Sequence, residues 1–343
     1  MTRRSSGTPS IRDVAAAAGV SYQTVSRVLN NAPNVNAATR QQVRDVIARL
    51  GYRPNRAARA LGSGQSSTVT VVTTNTTLYG YASTLRGIEE AARSNGLAVG
   101  VRVVESDSPQ DVRLAVEHVS DPNAGGVVVI AYDTAGAAVF RALPPEVPAV
   151  AATEAGGLAG VERPMIYLDE RQAAAEATRH LLDLGHRTVH HVAIPSETGT
   201  SARETGWREA LEAVGAPVPA VVPVEWDARS AYLASQRLAA DPEVTAVLCG
   251  NDDTAVVVRR ALYDAGRDVP GDVSIIGFDD VPGAAYWTPA LTTVQMDFVT
   301  LGHACLAAVA AEVSGEPRTA VDLRAPSLVV RESTAPPRRE PRL

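Results

Sequence analysis

Four side chains with complementary hydrogen-bonding faces fall within six positions of the stretch SYQTVSRVLN, residues 21–30: Tyr22, Gln23, Ser26 and Arg27. Val25, Val28 and Leu29 carry the apolar side of the same stretch at helical spacing, which leaves those four on the outer face. The carboxamide of Gln23 donates and accepts in one plane, and the guanidinium of Arg27 presents the fork that fits guanine O6 and N7. Tyr22 adds a ring and a hydroxyl. Ser21, Thr24, Asn30, Asn34 and Asn36 flank the set with short polar groups suited to phosphate oxygens, which fix a register without reading sequence.

A second constellation lies far downstream. Asn251 and Asp252 follow the apolar run TAVLCG, and Asp279 and Asp280 follow VSIIGF. Strands of one parallel sheet would deliver both pairs to the same rim, beyond the carboxyl ends where such sheets hold ligands. Amides and carboxylates there suit a polyhydroxyl ligand. Trp226 adds a flat apolar face for a sugar ring or a base, and Arg203 a fixed fork of N–H donors. Taken singly, Asp280 also suits a helix cap, Asp252 a surface ion pair, and Trp207 the core.

Catalysis finds little support. No G-x-G-x-x-G opens the first strand–helix unit, and no G-x-S-x-G elbow occurs. His190 and His191 are adjacent in an apparent strand, so their side chains point to opposite faces and cannot share one metal. Cys249 and Cys305, the only two cysteines, lie far apart in apolar runs, which indicates neither a disulfide framework nor a thiolate site. No catalytic residue, metal or cofactor is expected.

The elements that must carry these residues are legible from charge and periodicity. Residues 1–66 carry ten Arg against Asp13 and Asp45, a net +8, so the remaining chain holds −14 of the overall −6. A basic head on an acidic body points to a head that meets a polyanion. Three short helices fit the head: one on Ile11, Val14, Ala15 and Ala18 with Ser10 as N-cap, one after Ser21, and one capped by Asn36 with Val43, Val46, Ile47 and Leu50 as its stripe and Gly51 at its end. Then RPNRAARALGSGQSS, residues 53–67, is helix-prone between Pro54 and Gly62. At about two turns it is too short to persist alone in water.

From residue 68 apolar runs alternate with helical stretches: VTVVTT, LAVGVRVV, GGVVVIA and VPAVAA in one series, then IYLD, TVHHVAI, AVVPV, TAVLCG and VSIIGF in another. The texture predicts two doubly wound parallel α/β units with strands buried on both faces. A chain of 343 residues accommodates several such domains. The opening MTRRSSGTPS leads into no signal-peptide core, and no segment approaches the roughly 18 apolar residues of a membrane span. A cytoplasmic protein with no membrane partner is expected, ending in a Pro- and charge-rich disordered tail from Ala335.

The stretch IRDVAAAAGVSYQTVSRVLNNAPNVNAATRQQVRDVIARLGYRPNRAARAL is similar along its length to the N-terminal signature of the lactose-repressor (LacI/GalR) family of transcriptional regulators. LDLGHRTV, RETGW, LCGNDDTA and VSIIGFDDVPGAAYWTPALTTV follow in the family's order, so the resemblance covers residues 10 to about 332. It implies a helix-turn-helix head over 1–52 and a hinge helix and linker over 53–66. It also implies two periplasmic-binding-protein-like subdomains, 67–165 with 296–325 and 166–295 with 326–334, before a tail over 335–343.

By the same resemblance Tyr22, Gln23 and Arg27 fall on specificity positions, in a set similar to that of the lactose repressor branch. Asn55, Arg56, Ala58 and Arg59 lie on the hinge, with Leu61 at the position that wedges between base steps in a minor groove. Arg203, Trp226, Asn251 and Asp279 fall on effector-contact positions and resemble the galactoside-responsive branch, with Leu78, Tyr79 and Tyr81 at the mouth of the cleft. Thr153 stands where that branch carries Asp.

The resemblance implies a homodimer on a pseudo-palindromic operator, released by a small galactoside-like sugar bound between the two subdomains. A nucleoside- or purine-corepressed regulator is the alternative. A sugar-binding receptor of the periplasmic type is a third, against which the basic head argues.

Overall fold

The computed structural model describes residues 9–29, 32, 34–52, 68–120, 125–196, 200–317 and 320–338. They divide into two units, one ending at Ser67 and one starting at Thr68.

The first unit holds α1 (Ile11–Ala17), α2 (Tyr22–Leu29) and α3 (Ala37–Leu50). Ser10 and Asp13 form a reciprocal capping box: the Asp13 amide donates to Ser10 Oγ, and the Ser10 amide donates to Asp13 Oδ2 at 2.8 Å. These bonds hold the Asp13 carboxyl below the usual carboxylate range. Asn36 caps α3 by accepting from the Thr39 amide at 2.7 Å, and Gly51 closes the helix at φ 62°. Val14, Ala15, Ala18, Val25, Val28, Val43 and Val46 form the core, a small one built almost wholly of valine and alanine. Gln42 Nε2 ties α3 to the turn after α1 by donating to the Ala18 carbonyl at 3.0 Å.

The second unit contains two sheets. The first, ordered β2-β1-β3-β4-β5, is all parallel: β1 (Thr68–Thr73), β2 (Ala98–Val103), β3 (Val127–Ala131), β4 (Ala149–Thr153) and β5 (Met165–Ile166). Helices α4 (Tyr79–Ser94), α5 (Pro109–Val119) and α6 (Thr134–Ala142) connect its strands. The second sheet, ordered β11-β10-β9-β8-β6-β7, comprises β6 (His190–Ala193), β7 (Val222–Pro223), β8 (Ala246–Cys249), β9 (Ser274–Asp279), β10 (Thr292–Gln295) and the antiparallel β11 (Ser327–Val329). Helices α7 (Glu170–Asp183), α8 (Ala202–Ala213), α9 (Ala228–Ala240) and α10 (Asp252–Asp264) accompany it.

The chain crosses between the sheets three times. It leaves the first after β5 and returns after β10 to lay α11 (Phe298–Ser314) against β3, β4 and α4, then crosses back to form β11. Gly87 and Gly302 let α4 and α11 touch backbone to backbone; a Cβ on Gly87 would strike the Val299 carbonyl, and one on Gly302 the Thr84 carbonyl.

Burial on both faces holds for β3, β4, β8 and β9. It fails for β2, where Val101 and Val103 are each 48% exposed, because β2 pairs on one side only and forms the sheet edge. Trp207 is fully buried, its Nε1 donating to the Val189 carbonyl at 2.8 Å. The disordered tail expected from Ala335 does not start there. The Ala335 amide donates to Ser274 Oγ at 3.0 Å, buried His186 lies 3.0 Å from the Ala335 carbonyl, and Arg338 pairs with Asp272 at 2.8 Å. Among the described residues no helix is long and apolar enough to cross a membrane.

Candidate functional site

In the first unit α2 turns Val25 and Val28 into the core, and this decides which side chains face out. Tyr22 is 54% exposed, Gln23 and Arg27 are exposed, and Ser26 is half-buried. Ser21 Oγ accepts from the Thr24 amide at 3.1 Å and shares a hydrogen bond with Thr24 Oγ1, so Ser21 caps the helix that presents the row. Asn34 and Asn36 are exposed. Asn30, Asn55, Arg56, Ala58, Arg59 and Leu61 lie outside the described residues.

In the second unit a cavity opens at the carboxyl ends of both sheets. Leu78, Tyr79 and Tyr81 reach it from the start of α4, Tyr132 from the end of β3, Glu154 from the end of β4 and Phe298 from the start of α11. Facing them are Glu170, Ile194, Arg203, Trp226, Asn251 and Asp279, all from the second sheet's helices and strand ends. Seven of the eight anticipated cleft residues therefore meet in one space. Thr153 does not: as the last residue of β4 it is buried with Oγ1 unbonded, and its neighbour Glu154 takes the lining position.

Arg203 is the electrostatic centre. Its Nε and Nη2 donate to the two oxygens of Glu170 at 3.2 and 3.0 Å, and its Nη1 donates to the Gly250 carbonyl. The ring of Phe278 lies 4.3 Å away. Burial opposes the charge of Arg203, but Glu170 and Asp279 outweigh it and raise the guanidinium pKa. The fork is thus largely spent within the protein, and a bound ligand meets only its remaining N–H groups.

Asp279 is the unsatisfied member. Its Oδ1 is buried with no hydrogen bond and lies 3.8 Å from Arg203 Nη2. Burial raises its pKa well above the carboxylate range, against the pull of Arg203. Its backbone sits at φ 113° and that of Asp280 at φ 55°, a left-handed pair that ordinary residues avoid.

Asp252 and Asp280 hold this turn. Asp252 Oδ2 accepts from the Val281 amide at 2.8 Å and Oδ1 from Thr293 Oγ1 at 2.5 Å, while Asp280 pairs with Arg331 at 2.6 Å. Asp252 is therefore no surface ion pair: it is fully buried, and burial pushes its pKa up to about 7. Asn251 spends Oδ1 on the Thr254 amide at 2.8 Å to cap α10, which leaves its Nδ2 to donate.

Aromatic rings close the other side. Tyr81 packs edge-on against Tyr132 at 5.1 Å and against Trp226 across the cleft at 6.3 Å. Tyr81 donates its hydroxyl to Asp133 at 2.8 Å, and burial followed by the Asp133 charge raises its pKa, so it remains a phenol. A second bridge spans the cleft where Ser196 Oγ donates to Glu154 at 2.8 Å. The cavity between these bridges has a volume of about 40 Å³, room for a few waters. Tyr132 and Glu154 escaped notice although the rule applied to β8 and β9, that strand ends feed the rim, holds equally for β3 and β4. Glu170 and Phe298 carry no such signal.

Residues 10–55 match the profile of bacterial regulatory proteins of the lacI family, and residues 178–334 match a periplasmic binding protein-like domain. The chain is 30% identical over 330 residues to the lactose operon repressor of Escherichia coli (strain K12), covering 95% of this chain and 90% of that one. The crystal structure of the lac repressor dimer bound to operator and an anti-inducer superposes with a TM-score of 0.85 at 29% identity, covering 96% and 100% of the two chains. The complex of the transcriptional regulator CelR with cellobiose superposes with a TM-score of 0.69 at 27% identity, covering 95% and 99%.

Proposed function

Since the chain belongs to the lacI family of bacterial regulatory proteins, and is a DNA-binding transcriptional regulator rather than an enzyme, we propose that it is a cytoplasmic repressor released from a pseudo-palindromic operator by a small galactoside-like sugar. Two copies act together, each placing α2 in a major groove so that Tyr22, Gln23, Ser26 and Arg27 reach base edges. Ser21, Thr24, Asn30, Asn34 and Asn36 meet phosphates. Asn55, Arg56, Ala58, Arg59 and Leu61 form a hinge that folds on the minor groove.

The observation that carries the ligand reading is the unbonded, buried Oδ1 of Asp279, set among Arg203, Asn251 and Trp226. A sugar hydroxyl supplies the donor that this oxygen lacks, and the aromatic wall takes the apolar face of the ring. The CelR–cellobiose complex, a sugar bound by a protein of this fold, supports the same reading. The domain plan that accompanies it is a head over 1–52, a linker over 53–66 and two effector subdomains exchanging residues 296–325 and 326–334.

Entry of the sugar moves the subdomains and so the hinges. A coupling of about 1 to 3 kcal/mol shifts operator occupancy roughly 5- to 150-fold. An operator gel shift titrated with galactosides tests this: the retarded band fades as sugar is added, and Trp226→Ala keeps the band while losing the response. Fading with a purine and with no saccharide would overturn the ligand class.

A further inference from the structure

No hydrogen bond aims Asp279 Oδ1, so the backbone beneath it sets its direction. Asp279 and Asp280 both stand in the left-handed region, at φ 113° and 55°, where residues with a Cβ stay only if their surroundings hold them. The hold is on Asp280. Arg331 Nη2 donates to its Oδ1 at 2.6 Å and Gln295 Nε2 to its Oδ2 at 3.0 Å, so both oxygens are gripped. Arg331 is itself fixed, with Nη1 donating to the Leu291 carbonyl at 2.8 Å and its amide to Thr292 Oγ1 at 2.9 Å. The side chains of Arg331 and Asp280 are 17% and 12% exposed, which shields the pair from screening. Arg331 does not line the cleft.

Both gripping residues stand where the chain passes between the sheets. Gln295 ends β10, just before the chain leaves for α11, and Arg331 lies shortly after β11, the strand that the returning chain forms. These strands are antiparallel neighbours with Gln295 opposite Ser327, and Gln295 also lies beside Asp279 of β9. A change in the course of the crossing strands is therefore passed to Asp280, and through it to Asp279.

Resting on the reading that Asp279 binds the effector, we propose that Arg331 is a positioning residue of the effector site. By gripping Asp280 from outside the cleft it holds the left-handed turn and aims Asp279 Oδ1 at the ligand, without touching the ligand itself. Once the guanidinium is removed, Asp280 loses its closest donor and the turn relaxes toward ordinary backbone. Asp279 then swings away from the position a sugar hydroxyl needs. A lysine keeps the charge, but one ammonium in place of a planar fork cannot serve Asp280 and the Leu291 carbonyl in the same geometry.

Calorimetric titration of the full chain with lactose and with methyl β-galactoside tests this. Arg331→Met is expected to bind the sugar roughly threefold to tenfold more weakly than the parent, the range of one misplaced hydrogen bond. Arg331→Lys falls between the two. Gln295→Met removes the weaker grip, keeps the ion pair and gives a smaller loss in the same direction. In an Asp279→Ala background no carboxyl is left to aim, so adding Arg331→Met changes affinity by less than about 1.5-fold. Should Arg331→Met fail to fold, Arg331→Lys and Gln295→Met carry the same comparison in both backgrounds. Unchanged affinity in the Arg331 and Gln295 variants, or losses that multiply with that of Asp279→Ala, overturns the positioning role and leaves the cleft reading standing. No binding of either sugar by the parent overturns the cleft reading and the positioning role with it.

Discussion

Glu170 and Arg203 lie 33 positions apart and meet through two hydrogen bonds of 3.0 and 3.2 Å beneath the cleft, with side chains 8% and 9% exposed. Glu170 opens α7 and Arg203 sits in the first turn of α8, and the close packing of these two helices sets their separation. The pair fixes the guanidinium in one plane, and that plane decides where Asp279 finds itself unbonded.

Removing the charge of Glu170 therefore disturbs stability as well as the site. Glu170→Gln keeps the shape and one acceptor but strips Arg203 of its closest counter-charge, leaving Asp279 at 3.8 Å. A loss of about 2 to 3 kcal/mol is expected, below the full cost of breaking a buried pair because Asp279 remains. Urea unfolding of the two proteins measures it, and an unchanged midpoint contradicts the assignment.

Asp279→Asn replaces the orphaned acceptor with a group that accepts less strongly. A hydrogen bond to a neutral acceptor contributes about 0.5 to 1.5 kcal/mol, so affinity for the effector falls roughly twofold to tenfold. Melting temperature without ligand should stay the same or rise, since a buried carboxyl oxygen that lacks a hydrogen bond is removed. Titration calorimetry and a thermal melt on the same variant separate the two effects.

On the head, Arg27→Ala removes a fork from the exposed face of α2 while leaving Val25 and Val28 in the core. The change should cost about 1 to 3 kcal/mol on the specific operator and relax preference at one base pair. Binding to unrelated DNA falls less. Equal weakening on every sequence would demote Arg27 to a phosphate contact.

His191 makes a prediction about acid. Its Nδ1 lies 3.0 Å from the Leu248 carbonyl and its Nε2 is buried without a partner, so burial pushes its pKa down to about 4. Below the unfolded value near 6.5 the unfolded chain takes up a proton that the native one refuses, and stability is lost as pH falls from about 6.5 to 4. Asp252, raised to about 7, works the other way and loses stability as pH climbs from about 4 to 7. The comparison must therefore be between variants. His191→Phe should gain about 2 to 3 kcal/mol on the parent between pH 7.5 and pH 4.5. A constant difference across that range would sink the argument.

The sequence by itself determined the local structure. The caps at Ser10, Ser21 and Asn36 and the valine stripe of α2 depend on neighbours within a turn or two, so periodicity and hydrogen-bond chemistry suffice to read them, and with them the outward row from Tyr22 to Arg27. The same holds for strands flanked by turns, and for the rule that brings Asn251 and Asp279 to one rim. Helix α11 was unreadable because it is apolar on nearly every side, so no face stands out to mark the period.

Only tertiary structure decided the rest. Nothing near Glu170 in the chain announces Arg203, nothing near Tyr81 announces Trp226, and Glu154 displaces Thr153 through the alternation of side chains at the end of β4. These relations are set by how two sheets and their helices pack across three chain crossings. Burial and pairing are properties of the assembled interior, and sequence spacing holds no measure of them.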